Sequence, residues 1–177
     1  MGTAFGSLFG IRFTIHDLRF TNFMLHDFEL ARRRVRLWQR PGESYEHVLM
    51  KALGYAMFVG DFPALEIEQD VGLRYKPDLV ARGDERQTGF QFWGECGAVT
   101  IRKTAWLLKH GGVEQLAIFK INVSTAPLVS EIRDAVHCRY RPPGRLLLIN
   151  FVGDIAARTT RRRIARVSQS WYTKTAV

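Results

Sequence analysis

The run Phe90-Gln91-Phe92-Trp93-Gly94-Glu95 constrains the fold of this chain more than any other stretch. Side chains along a strand alternate between faces, so Gln91, Trp93 and Glu95 share one side and Phe90 and Phe92 share the other. Aromatic residues on both sides require cover on both, which calls for a sheet between layers. A carboxylate at the end of such a strand is partly dry, and desolvating a charge without a partner is costly. Glu95 therefore needs a basic side chain, a proton or a metal ion beside it.

The flanking pattern supplies the layers. Ser44 is an N-cap for a helix predicted to run to about Phe58, and Gly60-Asp61-Phe62-Pro63 ends it. Three strands are predicted next, over Leu65–Glu68, Asp78–Ala81 and Thr88–Glu95, the last two joined by the polar hairpin loop Arg82–Gln87. Thr100 caps a helix reaching about His110, Gly111-Gly112 stops it, and Leu116–Ile121 is short and apolar enough to be a central strand. A helix near Leu128–His137 and a strand over Arg145–Phe151 follow. The core order αβββαβ predicts an α/β fold, a mixed sheet flanked by helices. Ahead of it, Ile11–His16, Phe28–Ala31 and Val35–Trp38 read as extra N-terminal antiparallel strands. At 177 residues the expected organisation is a single domain with a strand extension over 1–40 and a core over 41–153. The basic tail over 154–177 is expected to be helical in part, with loosely held ends.

The formal net charge of +9 makes a polyanion the first partner to consider. Much of the charge sits in Arg32-Arg33-Arg34-Val35-Arg36 and in Arg158 to Arg166, and clustered cations favour phosphate contact because counterion release needs charge along one surface. The plainer alternative is a solvated basic face. Cys96 and Cys138 make neither a disulfide framework nor a zinc pattern, so a cytoplasmic location is expected. The apolar N-terminus lacks a basic leading region and meets Arg12 too early for a membrane span, so no membrane association is expected. The sequence contains no Walker-type loop, no GxGxxG after a strand and no recognisable Ser/His/Asp arrangement.

The hairpin between the second and third core strands brings Asp78 and Glu95 near one another across an antiparallel pair. Two carboxylates converging at the end of a sheet make an oxygen-rich pocket suited to Mg²⁺ or Mn²⁺. On the first helix, Leu49, Met50, Leu53 and Met57 lie at helical spacing from Glu46, which would extend the buried stripe as a third acid or point outward at the helix N-terminus. Trp93 and Trp38 read as core or pocket wall, Cys96 as a buried structural cysteine, and His47 as pointing sideways from the stripe.

A helix Glu, then Pro77-Asp78, then an acid ending the next strand, resembles the metal-dependent nuclease superfamily named for its PD-(D/E)XK motif. More narrowly, "RPGESYEHVLMKALGYAMF", "KPDL" and "FWGECG…IRK" are similar to its YaeQ-like branch, over roughly Val35 to Asn122. The resemblance implies a restriction-endonuclease-like core and hydrolysis of phosphodiesters in nucleic acid, with Asp78, Glu95 and Glu46 holding Mg²⁺ or Mn²⁺. The motif lysine is missing, because Glu95-Cys96-Gly97 puts glycine at its place. Lys103 is the first choice to supply it, with Arg102, Lys120 and Lys76 behind. Arg102, Arg161, Arg162 and Arg163 are the candidate nucleic-acid contacts. Two alternatives stay open: a catalytically inactive protein of the same fold that binds nucleic acid or a protein partner, and a homodimer built on the aromatic N-terminal strands.

Overall fold

The computed structural model describes residues 23–83 and 89–177. The strand expected over Ile11–His16 and most of the hairpin loop before Phe90 lie outside them. The described chain runs β1 (Met24–Leu30), β2 (Arg33–Gln39), α1 (Tyr45–Phe58), β3 (Glu66–Ile67), β4 (Leu79–Arg82), β5 (Phe90–Cys96) and α2 (Ile101–His110). It continues with β6 (Val113–Ile121), α3 (Ala126–Ala135), β7 (Leu146–Phe151), α4 (Ile155–Arg158), β8 (Arg163–Ile164) and β9 (Tyr172–Ala176). From α1 to β6 the order is the expected αβββαβ.

Six strands form the main sheet in the order β3-β4-β5-β6-β7-β9, and β2-β1-β8 form a smaller one. Strands β5, β6 and β7 are parallel, while β3, β4 and β9 join antiparallel, so the sheet is mixed and β6 is central. Helices α2 and α3 cover one face through Leu107, Leu108 and Ile132, packed with Trp93, Leu116 and Leu148. The other face meets α1 and, beyond it, Phe28, Leu30 and Leu37 of the small sheet. Both faces are dry, as Phe92 and Trp93 required: each is fully buried.

Local signals set the helix ends. The Ser44 hydroxyl accepts the His47 N–H, and the Thr100 hydroxyl accepts the Lys103 N–H, so both predicted N-caps form. Helix α1 differs from the expected amphipathic stripe. All eight residues from Val48 to Tyr55 are buried, because the helix lies between the two sheets and has little wet side. Gly54 permits this closeness: a Cβ there would stand 2.6 Å from Leu79 Cδ1 and 2.9 Å from Phe119 Cζ.

Two expectations are corrected. Phe90 packs edge-on against Trp93, centroids 5.2 Å apart, rather than sharing the side of Phe92. Pairing passes from Ala81–Phe92 to Arg82–Phe90, and the extra residue on β5 reverses the alternation. Trp38 is 53% exposed on the small sheet, edge-on to Phe23, and lines a surface cleft, so of core and pocket wall it takes the second. The tail is helical in part, as expected, at α4, but its end is not loosely held: β8 lies parallel to β1, β9 covers the edge of β7, and Val177 is buried. Covering β7 satisfies backbone groups that a bare edge would leave open. Among the described residues no helix is long and apolar enough to cross a membrane.

Candidate functional site

At the end of the β4–β5 pair, the register of Leu79 with Gly94 brings Asp78 to the level of Glu95 and Cys96. Glu95 is 4% exposed, and both its oxygens are met: Trp93 Nε1 donates to Oε1 at 2.7 Å and Lys103 Nζ to Oε2 at 2.5 Å. Burial pushes the Glu95 carboxyl above its ordinary value, and these two hydrogen bonds offset the rise only in part. Asp78 is held differently. Its Oδ2 accepts the Cys96 N–H at 2.7 Å, and its Oδ1 lies 3.2 Å from His47 Nε2. Burial again opposes the charge, but the His47 and Cys96 hydrogen bonds outweigh it and hold Asp78 below the ordinary carboxylate value. Neighbouring acids are thus driven in opposite directions, a separation that often accompanies divided chemical roles.

Around them lies a layer of charge in which the sequence had singled out only His47 and Lys120. Glu43, just before α1, lies 3.6 Å from His47 Nε2 and accepts Lys51 Nζ at 2.6 Å. Lys51 also reaches Glu68 at 2.7 Å, and the Glu68 N–H donates to the Asp78 carbonyl at 2.9 Å. Lys120, at the end of β6, donates to the Gly97 carbonyl at 2.5 Å, and burial lowers its pKa. Gly97 itself has φ +70°, and a Cβ there would stand 3.2 Å from His47 Nδ1. A signal for Glu43 was present: Glu43, His47 and Lys51 are spaced four apart, the spacing of one helix face.

Of the predicted residues, Lys103 meets Glu95, and Asp78 lies at the same strand end, bonded to the Cys96 N–H. Glu46 does not join them: it is exposed on the first turn of α1, correcting the expectation that it extends the buried stripe. A helix buried on nearly all sides leaves its solvent side at that first turn, so a charged residue there turns outward. Arg102 is exposed on α2, whereas Arg161, Arg162 and Arg163 line a cleft beside the small sheet, across the main sheet from α2. Cys96 is buried and its thiol is pushed well up, first by burial and then by Asp78, as suits a structural cysteine. Among the described residues, no group of three or more His, Cys, Asp or Glu is placed to hold a metal ion.

These shifts predict a pH response. Asp78 and Glu43 are depressed, so their stabilisation is present above the unfolded values and lost as pH falls through the folded ones. Glu95 is raised and works oppositely, contributing below its unfolded value and fading as pH rises through its folded one. Thermal stability of the wild type is expected to fall below about pH 4, and Asp78→Asn to flatten that fall. An acid limb of Asp78→Asn parallel to the wild type would count against this assignment.

No family model matches the chain, and no curated protein matches it either. Solved structures do. The YaeQ protein from Xanthomonas axonopodis pv. citri superposes with a TM-score of 0.53 at 12% identity, covering 88% of this chain and 96% of that one. The fold is YaeQ-like. The YaeQ protein from Pseudomonas syringae gives a TM-score of 0.56 at 12% identity, covering 88% and 93%. At this identity the likeness is one of fold. With 88% of the chain covered, the YaeQ-like arrangement extends beyond the core of residues 41–153.

Proposed function

We propose that this protein is a PD-(D/E)XK-type phosphodiesterase that cleaves nucleic acid with Mg²⁺ or Mn²⁺ held by Asp78 and Glu95. One observation carries the reading: Lys103 reaches Glu95 at 2.5 Å from the neighbouring helix, at the strand ends where Asp78 also lies. A lysine thus reaches one of the two acids although Gly97 occupies the motif position for lysine.

The donor set fits Mg²⁺, which is commonly held by one or two carboxylates with the remaining positions left to water and substrate phosphate. Every oxygen of Asp78 and Glu95 accepts one hydrogen bond and keeps a second lone pair for an ion. When bound, the ion would lower the pKa of a coordinated water and neutralise charge on the phosphodiester. His47 and the Cys96 N–H keep Asp78 ionised for this role. Lys103 orients Glu95 in the resting state and, displaced toward the substrate, stabilises the negative charge of the transition state. Lys120 adds a second cation at the strand ends. His47 on α1 and Glu43 just before it join this arrangement in place of Glu46. Arg102 and Arg161 to Arg163 are assigned to backbone phosphates.

A second reading is a protein of the same fold that binds nucleic acid without cutting it. It is favoured by the existing hydrogen bonds on all four carboxylate oxygens and by the lack of a third ligand among the described residues. Isothermal titration of Mg²⁺ and Mn²⁺ into the wild type and an Asp78→Asn, Glu95→Gln double variant separates the two. The nuclease reading expects binding that the double variant loses, with metal-dependent cleavage of an oligonucleotide by the wild type. No ion uptake in the presence of oligonucleotide would leave the non-catalytic reading.

A further inference from the structure

We infer that the arginine-lined cleft beside the small sheet is a second site of nucleic-acid contact, one that grips backbone phosphates apart from the acids. The inference rests on the phosphodiester reading only for the identity of the anion. The cleft has a volume of about 460 Å³ and gathers Arg32 and Arg34 from the β1–β2 hairpin with Arg161, Arg162 and Arg163 from the start of β8. Five arginines face two lining carboxylates, Asp27 and Glu29.

The pairing inside it is incomplete. Arg163 meets Glu29 at 3.1 Å and Arg34 meets Asp27 at 3.5 Å. Among the described residues, Arg32, Arg161 and Arg162 have no carboxylate within ion-pair distance. Converging like charges repel unless an anion sits among them, and a phosphodiester suits guanidinium groups, which bind phosphate oxygens in pairs.

The backbone bears on the same point. Ala31, Arg32 and Arg162 have φ of 47°, 66° and 52°, the left-handed region that non-glycine residues seldom occupy. At Ala31 and Arg32 the tight β1–β2 hairpin, closed by the Leu30–Arg33 pair, requires this geometry, and both this turn and the one at Arg162 deliver arginines to this cleft. The Arg162 guanidinium lies over the rings of Phe28 and Tyr45, at 5.9 and 5.8 Å, which fixes its direction without neutralising it. Tyr45 is the first residue of α1, two before His47, so the cleft adjoins the end of the helix that serves Asp78.

The test is fluorescence anisotropy with labelled single-stranded and duplex DNA across a salt series. Arg32→Ala, Arg162→Ala together are expected to weaken binding about tenfold or more and to lower the slope of log K against log salt by roughly 1.4–1.8. Arg133→Ala, Arg139→Ala remove equal charge on the α3 side and are expected to change little. Arg161→Glu, exposed in the cleft, is expected to weaken binding even if losing Arg162 disturbs Phe28 and Tyr45. Equal losses from the two double variants would overturn the site, as would wild-type binding no tighter to DNA than to polyglutamate. The Asp78→Asn, Glu95→Gln variant keeps the two readings apart. Metal uptake lost there with DNA binding retained upholds the cleft, whereas DNA binding indifferent to the arginines removes the cleft and leaves the metal reading standing.

Discussion

Lys51→Ala is expected to lower the free energy of unfolding by about 3–5 kcal/mol, the usual cost of removing one partner from a buried charge cluster. Lys51 is 1% exposed, within a helix enclosed by two sheets, and its ammonium lies between Glu43 at 2.6 Å and Glu68 at 2.7 Å. Burial alone would depress its pKa, yet the two acids raise it, so the charged form belongs to the folded state. Without the ammonium, two partly buried carboxylates face one another, with only Arg40 left beside Glu68 at 3.4 Å. A chain of this size loses roughly 2–4 °C of Tm per kcal/mol, so a fall on the order of 10 °C should be read by calorimetry. Lys51→Met keeps most of the stem packing but strands the same acids, and should cost nearly as much at neutral pH. A Glu43→Gln, Lys51→Met, Glu68→Gln triple variant should recover most of the loss, because replacing a whole ionic cluster is often close to neutral. Wild-type stability of Lys51→Met at neutral pH would show that the cluster holds nothing together. Glu68 adds a link to the site, since its N–H donates to the Asp78 carbonyl from a backbone at φ +55°.

The second large effect concerns Lys103 and separates its two roles by sign. Its ammonium occupies Glu95 Oε2, where a divalent ion would bind, so at rest it competes with the metal. Lys103→Ala is therefore expected to tighten Mg²⁺ binding several-fold, because a like charge at contact distance opposes the ion. The same change should slow oligonucleotide cleavage by about 10²-fold, the loss typical when one group stabilising transition-state charge is removed. Lys103→Arg keeps a cation and should leave metal affinity near the wild type while restoring part of the rate. Metal titration alongside single-turnover cleavage reads both effects. If affinity falls together with rate, Lys103 merely props Glu95. Should rate survive while affinity rises, it is a counter-ion without a catalytic part.

The two acids were legible before the fold was known, because a hairpin has short-range geometry: strands joined by a tight loop bring residues at equal distance from it alongside. Lys103 was accessible for a related reason, since Thr100 caps its helix and sets it just beyond the strand that ends at Cys96. The helix acid was misplaced. A heptad-like stripe locates one wet face, whereas α1 has two sheets against it, and this reversed which acid turns inward. Glu43 before the helix serves the cluster, and Glu46 on it does not. His47 and Lys51 were obscured likewise, since their partners Asp78 and Glu68 lie 31 and 17 residues away.

Element boundaries, caps, the layer order and the pair Asp78–Glu95 thus follow from interactions spanning a few residues, which composition and spacing encode directly. The arginine cleft, the enclosure of α1 and the strands β8 and β9 depend on segments remote in sequence. Nothing in residues 154–177 states that one part pairs with β1 and another with β7. Those pairings follow from which edges the rest of the fold leaves uncovered, and an edge exists only once the sheets have formed.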